Sequence, residues 1–221
     1  MGNDWDWTLY VDRTPEVVAE LFDLAVGAGL RIGHPEDGLI SAFRTDEPGE
    51  FDRLDRDDLV AALASGTHHG CTLWPADEEV WFSVQESRLY WSIERFLFTP
   101  DLHRRLTDLW TVAAERFGAR FGTVVDEWSW EQVWRVRGGE LDFENPPPPG
   151  SFPDCFGWWT YFDAERAARL PEFPAAVAAR VRSTASGGVV VALLEDPVDA
   201  RDFVFGEIHR VLFGLAPEDG A

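Results

Sequence analysis

The sequence predicts an α+β fold, a mixed or mainly antiparallel sheet with helices packed on it. Three observations point there. Glu79–Gln85 and Arg88–Phe96 alternate apolar and polar residues on either side of Glu86-Ser87, as the two strands of a hairpin do. Thr-Pro opens a helical pattern twice, at Thr14-Pro15 and Thr99-Pro100, with threonine placed to cap and proline at the first helical position. Val189–Leu194 is too continuously apolar for a one-sided strand and reads as buried on both faces.

The elements follow in order. Trp5–Val11 sets Trp5, Trp7, Leu9 and Val11 against Asp6, Thr8 and Tyr10, a half-buried strand. The helix after Thr14 carries Val17, Val18, Leu21, Phe22, Leu24 and Ala25 and stops at Gly27 or Gly29. Asp37-Gly38 is a turn, Leu39–Phe43 a short strand, and the acidic segment 45–53 with Pro48-Gly49 a loop. Asp55 or Asp57 opens a short helix with Leu59, Val60 and Leu63 on its apolar side, closed by Gly66. His69–Trp74 is a strand, and the hairpin comes next. The helix after Thr99 places Leu102, Leu106, Leu109, Trp110, Ala113 and Phe117 at helical spacing and ends at Gly118.

Phe121–Val125 is a strand or the approach to a helix. Asp126 then caps a short helix that turns Trp130, Val133 and Trp134 to one side. Gly138-Gly139 and the run Asn145-Pro146-Pro147-Pro148-Pro149-Gly150 are too stiff and donor-poor for a core element. They separate residues 1–145 from 146–221, two regions sharing one compact fold. The second region holds an aromatic strand Gly157–Phe162 and helices Asp163–Leu170 and Pro174–Ser183. The strand Val189–Leu194 follows, then a last helix Asp199–Leu212 with Phe203, Ile208, Val211 and Leu212. Trp7–Asp12 and Trp159–Asp163 echo each other ahead of a helix, so two related strand–helix halves are one way to build the sheet.

Composition bounds the function. The chain carries 40 acidic against 19 basic residues in 221, a formal charge of −21, and every basic residue other than histidine is arginine. Phosphate backbones and anionic membranes are bound through basic patches, so neither nucleic acid nor a membrane surface is expected as a ligand. A basic protein partner is favoured by long-range steering. No run approaches the roughly 18 apolar residues of a membrane span. The start MGNDWDW lacks a basic n-region and an apolar h-region, so the expected location is cytoplasmic. Reduced thiols are the expectation for Cys71 and Cys155.

Motifs for chemistry are sparse. His68-His69-Gly70-Cys71 is the one metal-like cluster, but adjacent strand histidines point apart and no second half has the spacing, so no metal is expected. His34, His103 and His209 stand alone. Nucleotide loops, nucleophile elbows and zincin motifs are missing, and no cofactor is expected. Glu195-Asp196, at the end of a buried strand, either aims a carboxylate into a cleft or caps the final helix.

The densest stretch is Asp126–Trp134, with three tryptophans and three carboxylates in nine residues. One helix cannot bury Trp128 together with Trp130 and Trp134. The expectation is Trp130 and Trp134 inward, and Asp126, Glu127, Trp128 and Glu131 outward. In Gly157–Phe162 the neighbours Trp158 and Trp159 face opposite sides, so either the sheet is covered twice or one of them, Trp158, meets a ligand. Asp126-Glu127-Trp128-Ser129-Trp130-Glu131 and Gly157-Trp158-Trp159-Thr160-Tyr161-Phe162, in a small, acidic, lysine-free α+β chain, resemble the immunity proteins of bacterial polymorphic toxin systems. The resemblance is one of style across the whole chain. It implies a non-enzymatic inhibitor that masks a toxin domain, often a basic nuclease. Asp126, Glu127, Trp128, Glu131 and Trp158 are the expected partner-binding residues. The alternative is a small hydrolytic enzyme of unassigned specificity using carboxylates and His68 or His69.

Overall fold

The computed structural model of the chain describes residues 4–75, 79–94, 97–138, 142 and 145–215. Glu78, Phe96 and Gly139 lie outside the described residues, as does the side chain of Phe203.

The alternating segment Trp5–Tyr10 forms β1. Thr14 accepts the amide of Val17 at 3.3 Å and starts α1, Pro15–Gly27. Strands β2 (Ile40–Arg44) and β3 (Phe51–Leu54) follow. The second corrects the expected loop, because its backbone pairs antiparallel with β2 around the Pro48-Gly49 turn. Asp55 caps α2, Arg56–Ser65, and Gly66 ends it in the left-handed conformation at φ 79°. Then come β4 (His68–Leu73) and the hairpin β5 (Val80–Val84) and β6 (Leu89–Ile93). Thr99 caps α3, Pro100–Arg116. Next are β7 (Phe121–Asp126) and α4 (Glu127–Arg137).

The C-terminal region departs further from expectation. Strand β8 is Trp159–Phe162, and the two helices after it are single turns, α5 (Ala164–Ala167) and α6 (Ala175–Ala178). The second was expected to reach Ser183. Instead Val181–Ser183 is strand β9, paired with β10 (Val189–Ala192) across a turn closed by Thr184 N–H to Gly188 O at 2.9 Å. Pairing with β10 gives the backbone groups of Val181–Ser183 that face it partners across the sheet. Asp196 caps a separate 3-10 turn at Pro197–Asp199, and α7 runs from Asp202 to Phe213.

The expected α+β class holds. One sheet of ten described strands runs β3-β2-β4-β5-β6-β1-β7-β8-β10-β9, antiparallel at every pairing. It continues through the β7–β8 pair, on either side of the proline run.

Register sorts the side chains. Trp5, Trp7 and Leu9 share a face with Phe82, Trp91, Val124, Trp159 and Tyr161. Helices α1, α2 and α3 cover it. Phe22 meets Phe82 with ring centroids 5.8 Å apart, and Trp7 donates its indole N–H to Thr107 at 3.0 Å. Trp110 lies across the sheet and donates to the carbonyl of Thr8 at 2.8 Å. Its ring occupies the space over Gly122, where a Cβ would come within 2.9 Å of it and 2.7 Å of Leu9.

The second face carries Tyr10, Phe121, Thr123, Thr160 and Phe162. Helices α4 and α7 pack on each other and cover its C-terminal part, with the ring of Phe205 of α7 tilted against Trp158, centroids 4.4 Å apart. Over β1, β5 and β6 the second face reaches solvent: Trp81 is 43 % exposed, and Asp6, Thr8 and Tyr90 are half-buried. No helix of the described residues is long and apolar enough to cross a membrane.

Candidate partner-binding surface

Helix α4 begins where β7 ends because Asp126 serves both. Its carboxylate accepts the amide of Ser129 at 3.1 Å, the N-cap bond. It also takes the hydroxyl of Ser129 and the indole N–H of Trp158, the latter at 2.7 Å. The same indole N–H reaches Ser129 Oγ at 2.8 Å. All three side chains are inside: Asp126 is 7 % exposed, and Ser129 and Trp158 are fully buried.

This corrects two placements. Asp126 was expected outward, but a cap must turn back onto the first amides of its helix. Trp158 was expected to meet a ligand, but the sheet here is covered on both sides, and Asp126 satisfies its N–H internally. Both side chains are buried in this fold.

The other three expected residues are at the surface. Glu127 is exposed, and Trp128 and Glu131 are half-buried. Trp134, expected in the core, is 62 % exposed, and Trp130 is half-buried against the core's edge. The helix turns Ser129 and Val133 inward, while Gln132 and Val136 lie against Gly206 of α7. At 3.6 residues per turn, Trp134 falls across the helix from that arc and lines up with Glu127 and Glu131. Arg135 pairs with Glu131 at 3.5 Å along the same ridge.

The start of α4 adjoins the open part of the sheet. The amide of Glu127 donates to the carbonyl of Asp4 at 3.1 Å, beside β1. Two residues on from Asp4, Asp6 lies on the second face. Tyr90 of β6 donates its hydroxyl to Asp6 at 2.7 Å, and Ser92, directly across from Asp6, adds a second hydrogen bond. Trp81 of β5 stands edge-on to Tyr90, with centroids 5.6 Å apart. Burial raises the Asp6 carboxyl to about 6, against the pull of the Tyr90 and Ser92 hydrogen bonds and with the added push of the negative Asp4 and Glu127. The Tyr90 phenol is pushed above its usual range by burial and by Asp6.

Sequence reasoning missed this trio, although its signal was present. Trp81 and Tyr90 occupy the positions that alternation assigns to water, where a solvated antiparallel strand ordinarily carries polar residues.

Between α4 and the proline run lies a cavity of about 280 Å³. Tyr10, Phe121 and Thr123 of the sheet, Trp130 of α4, Pro146 of the run and Phe152 just after it line it. Cys155 also borders it, with its sulfur 3.7 Å from Nε2 of His209. The pair is built for packing. Nε2 of His209 accepts the Phe156 N–H at 3.1 Å, so Nδ1 carries the proton and donates to the carbonyl of Phe205 at 2.8 Å. The thiol donates to the carbonyl of Phe156 at 3.1 Å, and burial pushes it well above the ordinary cysteine range.

The other candidates are scattered. His68 contacts Asp52 at 2.9 Å and Thr67 at 3.2 Å near the sheet edge, and His69 lies beside Phe43. Asp196 pairs with Arg104 at 2.6 Å while capping its 3-10 turn. Among the described residues no three metal-ligating side chains come together, and Cys71 and Cys155 are both buried free thiols.

No protein-family model matches the chain, and no curated protein does. Among solved structures it is similar to "Pseudomonas aeruginosa T6SS protein PA0821", with a TM-score of 0.51 and 13 % identity over 99 % of this chain and 78 % of that one. At that identity the likeness shows a shared fold.

Proposed function

We propose that the chain is a bacterial immunity protein: a binding protein that docks a basic toxin domain and inhibits it by covering its working surface. The observation that carries this reading is the α4 ridge, where Glu127, Glu131 and the exposed Trp134 line up with Trp128 beside them. An aromatic anchor ringed by carboxylates is the chemistry of a docking surface for a cationic protein. The charge of −21 adds steering toward such a partner. The structural neighbour, a T6SS protein of Pseudomonas aeruginosa, is in keeping with a toxin-system role. In this reading the protein works in the cytoplasm of the cell that makes it, without cofactor or metal.

The test is co-expression with the C-terminal domain of a secreted toxin encoded beside its gene. Co-purification and rescue of growth are expected. Replacing Glu127, Trp128 and Glu131 together should abolish both while leaving the melting temperature near that of the parent. If the triple variant instead loses most of its stability, these side chains belong to the scaffold. Absence of any complex with the parent protein would remove the reading itself.

A further inference from the structure

The α4 ridge does not explain why a second set of aromatic residues faces water on the sheet. Trp81 and Tyr90 stand side by side on β5 and β6, with Asp6 next to them on β1. Ser92 lies between Asp6 and Trp81 in register and is 7 % exposed, as a floor would be. Together these residues make a shallow seat with a carboxylate at one side and an indole at the other.

The charge around it is one-sided. Among the described residues the charged groups that act on Asp6 are Asp4, just before β1, and Glu127, at the start of α4, and both are negative. The packing elements contribute hydroxyls from Tyr90 and Ser92 of β6. Among the described residues, the arginine ion pairs are all made with other carboxylates. A carboxylate held half-buried, with no cation against it among the described residues, leaves unsatisfied an attraction that a partner can supply.

We infer that Asp6, Tyr90 and Trp81 form the seat for a single guanidinium side chain of a basic protein partner, with the carboxylate taking its N–H groups and the indole its flat face. An arginine suits both halves: its planar fork bonds a carboxylate, and its face stacks on an aromatic ring. The inference rests on the basic-partner reading above and adds a second contact to it. The α4 ridge and this seat adjoin at Glu127, so one partner can span both.

The experiment titrates the ¹⁵N-labelled full chain with the peptide acetyl-Gly-Arg-Gly-amide, and separately with its citrulline counterpart, which keeps the shape and loses the charge. The indole N–H signals of Trp81, Trp128 and Trp134 are followed at physiological salt. The arginine peptide is expected to move the Trp81 signal, and the citrulline peptide to leave it in place. Asp6→Asn should weaken the arginine response about tenfold, and Trp81→Leu should weaken the accompanying shifts of Tyr90 and Ser92 amides. An equal response in Asp6→Asn overturns the seat. Shifts confined to Trp128 and Trp134 overturn it while leaving the basic-partner reading standing. Silence at all three indoles removes support from both. A Trp81 signal that depends on protein concentration without peptide assigns the face to a second copy of the chain and overturns the proposal.

Discussion

Trp158 donates its indole N–H to the carboxylate of Asp126, the residue that caps α4, and so ties β8 to the start of a helix 32 residues earlier. The bond is buried at both ends, which fixes what its loss costs. Trp158→Phe keeps a ring among its neighbours but strands acceptors on Asp126 and Ser129, at about 1–3 kcal/mol. Asp126→Ala removes the cap, strands the buried Ser129 hydroxyl and leaves the indole N–H with Ser129 Oγ alone, and should cost about 2–4 kcal/mol from these effects together. Urea denaturation measures both. The affinity of the folded fraction for a partner should stay at the parent value, since neither side chain reaches the surface. A variant of normal stability that fails to bind would instead place these residues at the interface.

Local rules made much of the fold legible. Thr14, Asp55, Thr99 and Asp126 each cap the helix that their sequence announces, because a cap is set by four consecutive residues. The hairpin Val80–Ile93 follows from alternation alone. What could not be read depends on distant partners. The inward arc of α4 is chosen by α7, some seventy residues on, and that choice put Trp134 outside. The burial of Trp158 depends on α7 covering β8 from the second face. The Asp6–Tyr90 bond joins positions 84 apart, which no local pattern links. Its legible part was narrower: aromatic residues at water-facing strand positions.

Gly122 shows the same dependence on a distant side chain. Its missing Cβ leaves room for Trp110, which crosses β7 to reach the carbonyl of Thr8. Gly122→Ala puts a methyl within 2.8 Å of that carbonyl and 2.9 Å of the indole. Backbone cannot move aside cheaply, so a loss of about 1–3 kcal/mol is expected. A denaturation midpoint equal to that of the parent would mean that Trp110 has another resting place.

His103 and His209 make the protein sensitive to acid. His103 is wedged among Trp5, Trp7, Phe98 and Trp159, and burial lowers it to about 3. Burial likewise lowers His209, to about 4. Both stay neutral in the folded chain, while the unfolded chain takes up protons near the ordinary 6.5. The unfolded state therefore binds more protons between those limits, and stability falls as pH drops from about 6.5 toward 4. His103→Phe fits the aromatic niche and cannot charge. Its urea midpoint should change less than that of the parent between about pH 7 and pH 5. An identical slope in the two proteins would show that His103 finds its proton without unfolding.

Asp6 works in the opposite direction. Folding raises its carboxyl from 3.8 to about 6, so between those values the folded chain holds the proton and the unfolded chain has released it. Stability is then lost as pH rises through this window, and above it the ionised carboxylate stays as a standing cost. At about 1.4 kcal/mol per unit, and with the carboxyl only half-buried, that cost is on the order of 1–3 kcal/mol. Asp6→Asn keeps an oxygen for the Tyr90 hydroxyl and removes the charge. It should therefore raise the urea midpoint at about pH 8 and leave it nearly unchanged at about pH 4, where Asp6 is already neutral. A residue retained at a cost to its own fold is what a binding site requires, since the charge that destabilises the free protein is the one a cationic partner would take up. If Asp6→Asn lowers stability at pH 8, the carboxylate is holding the sheet together, and its charge is structural.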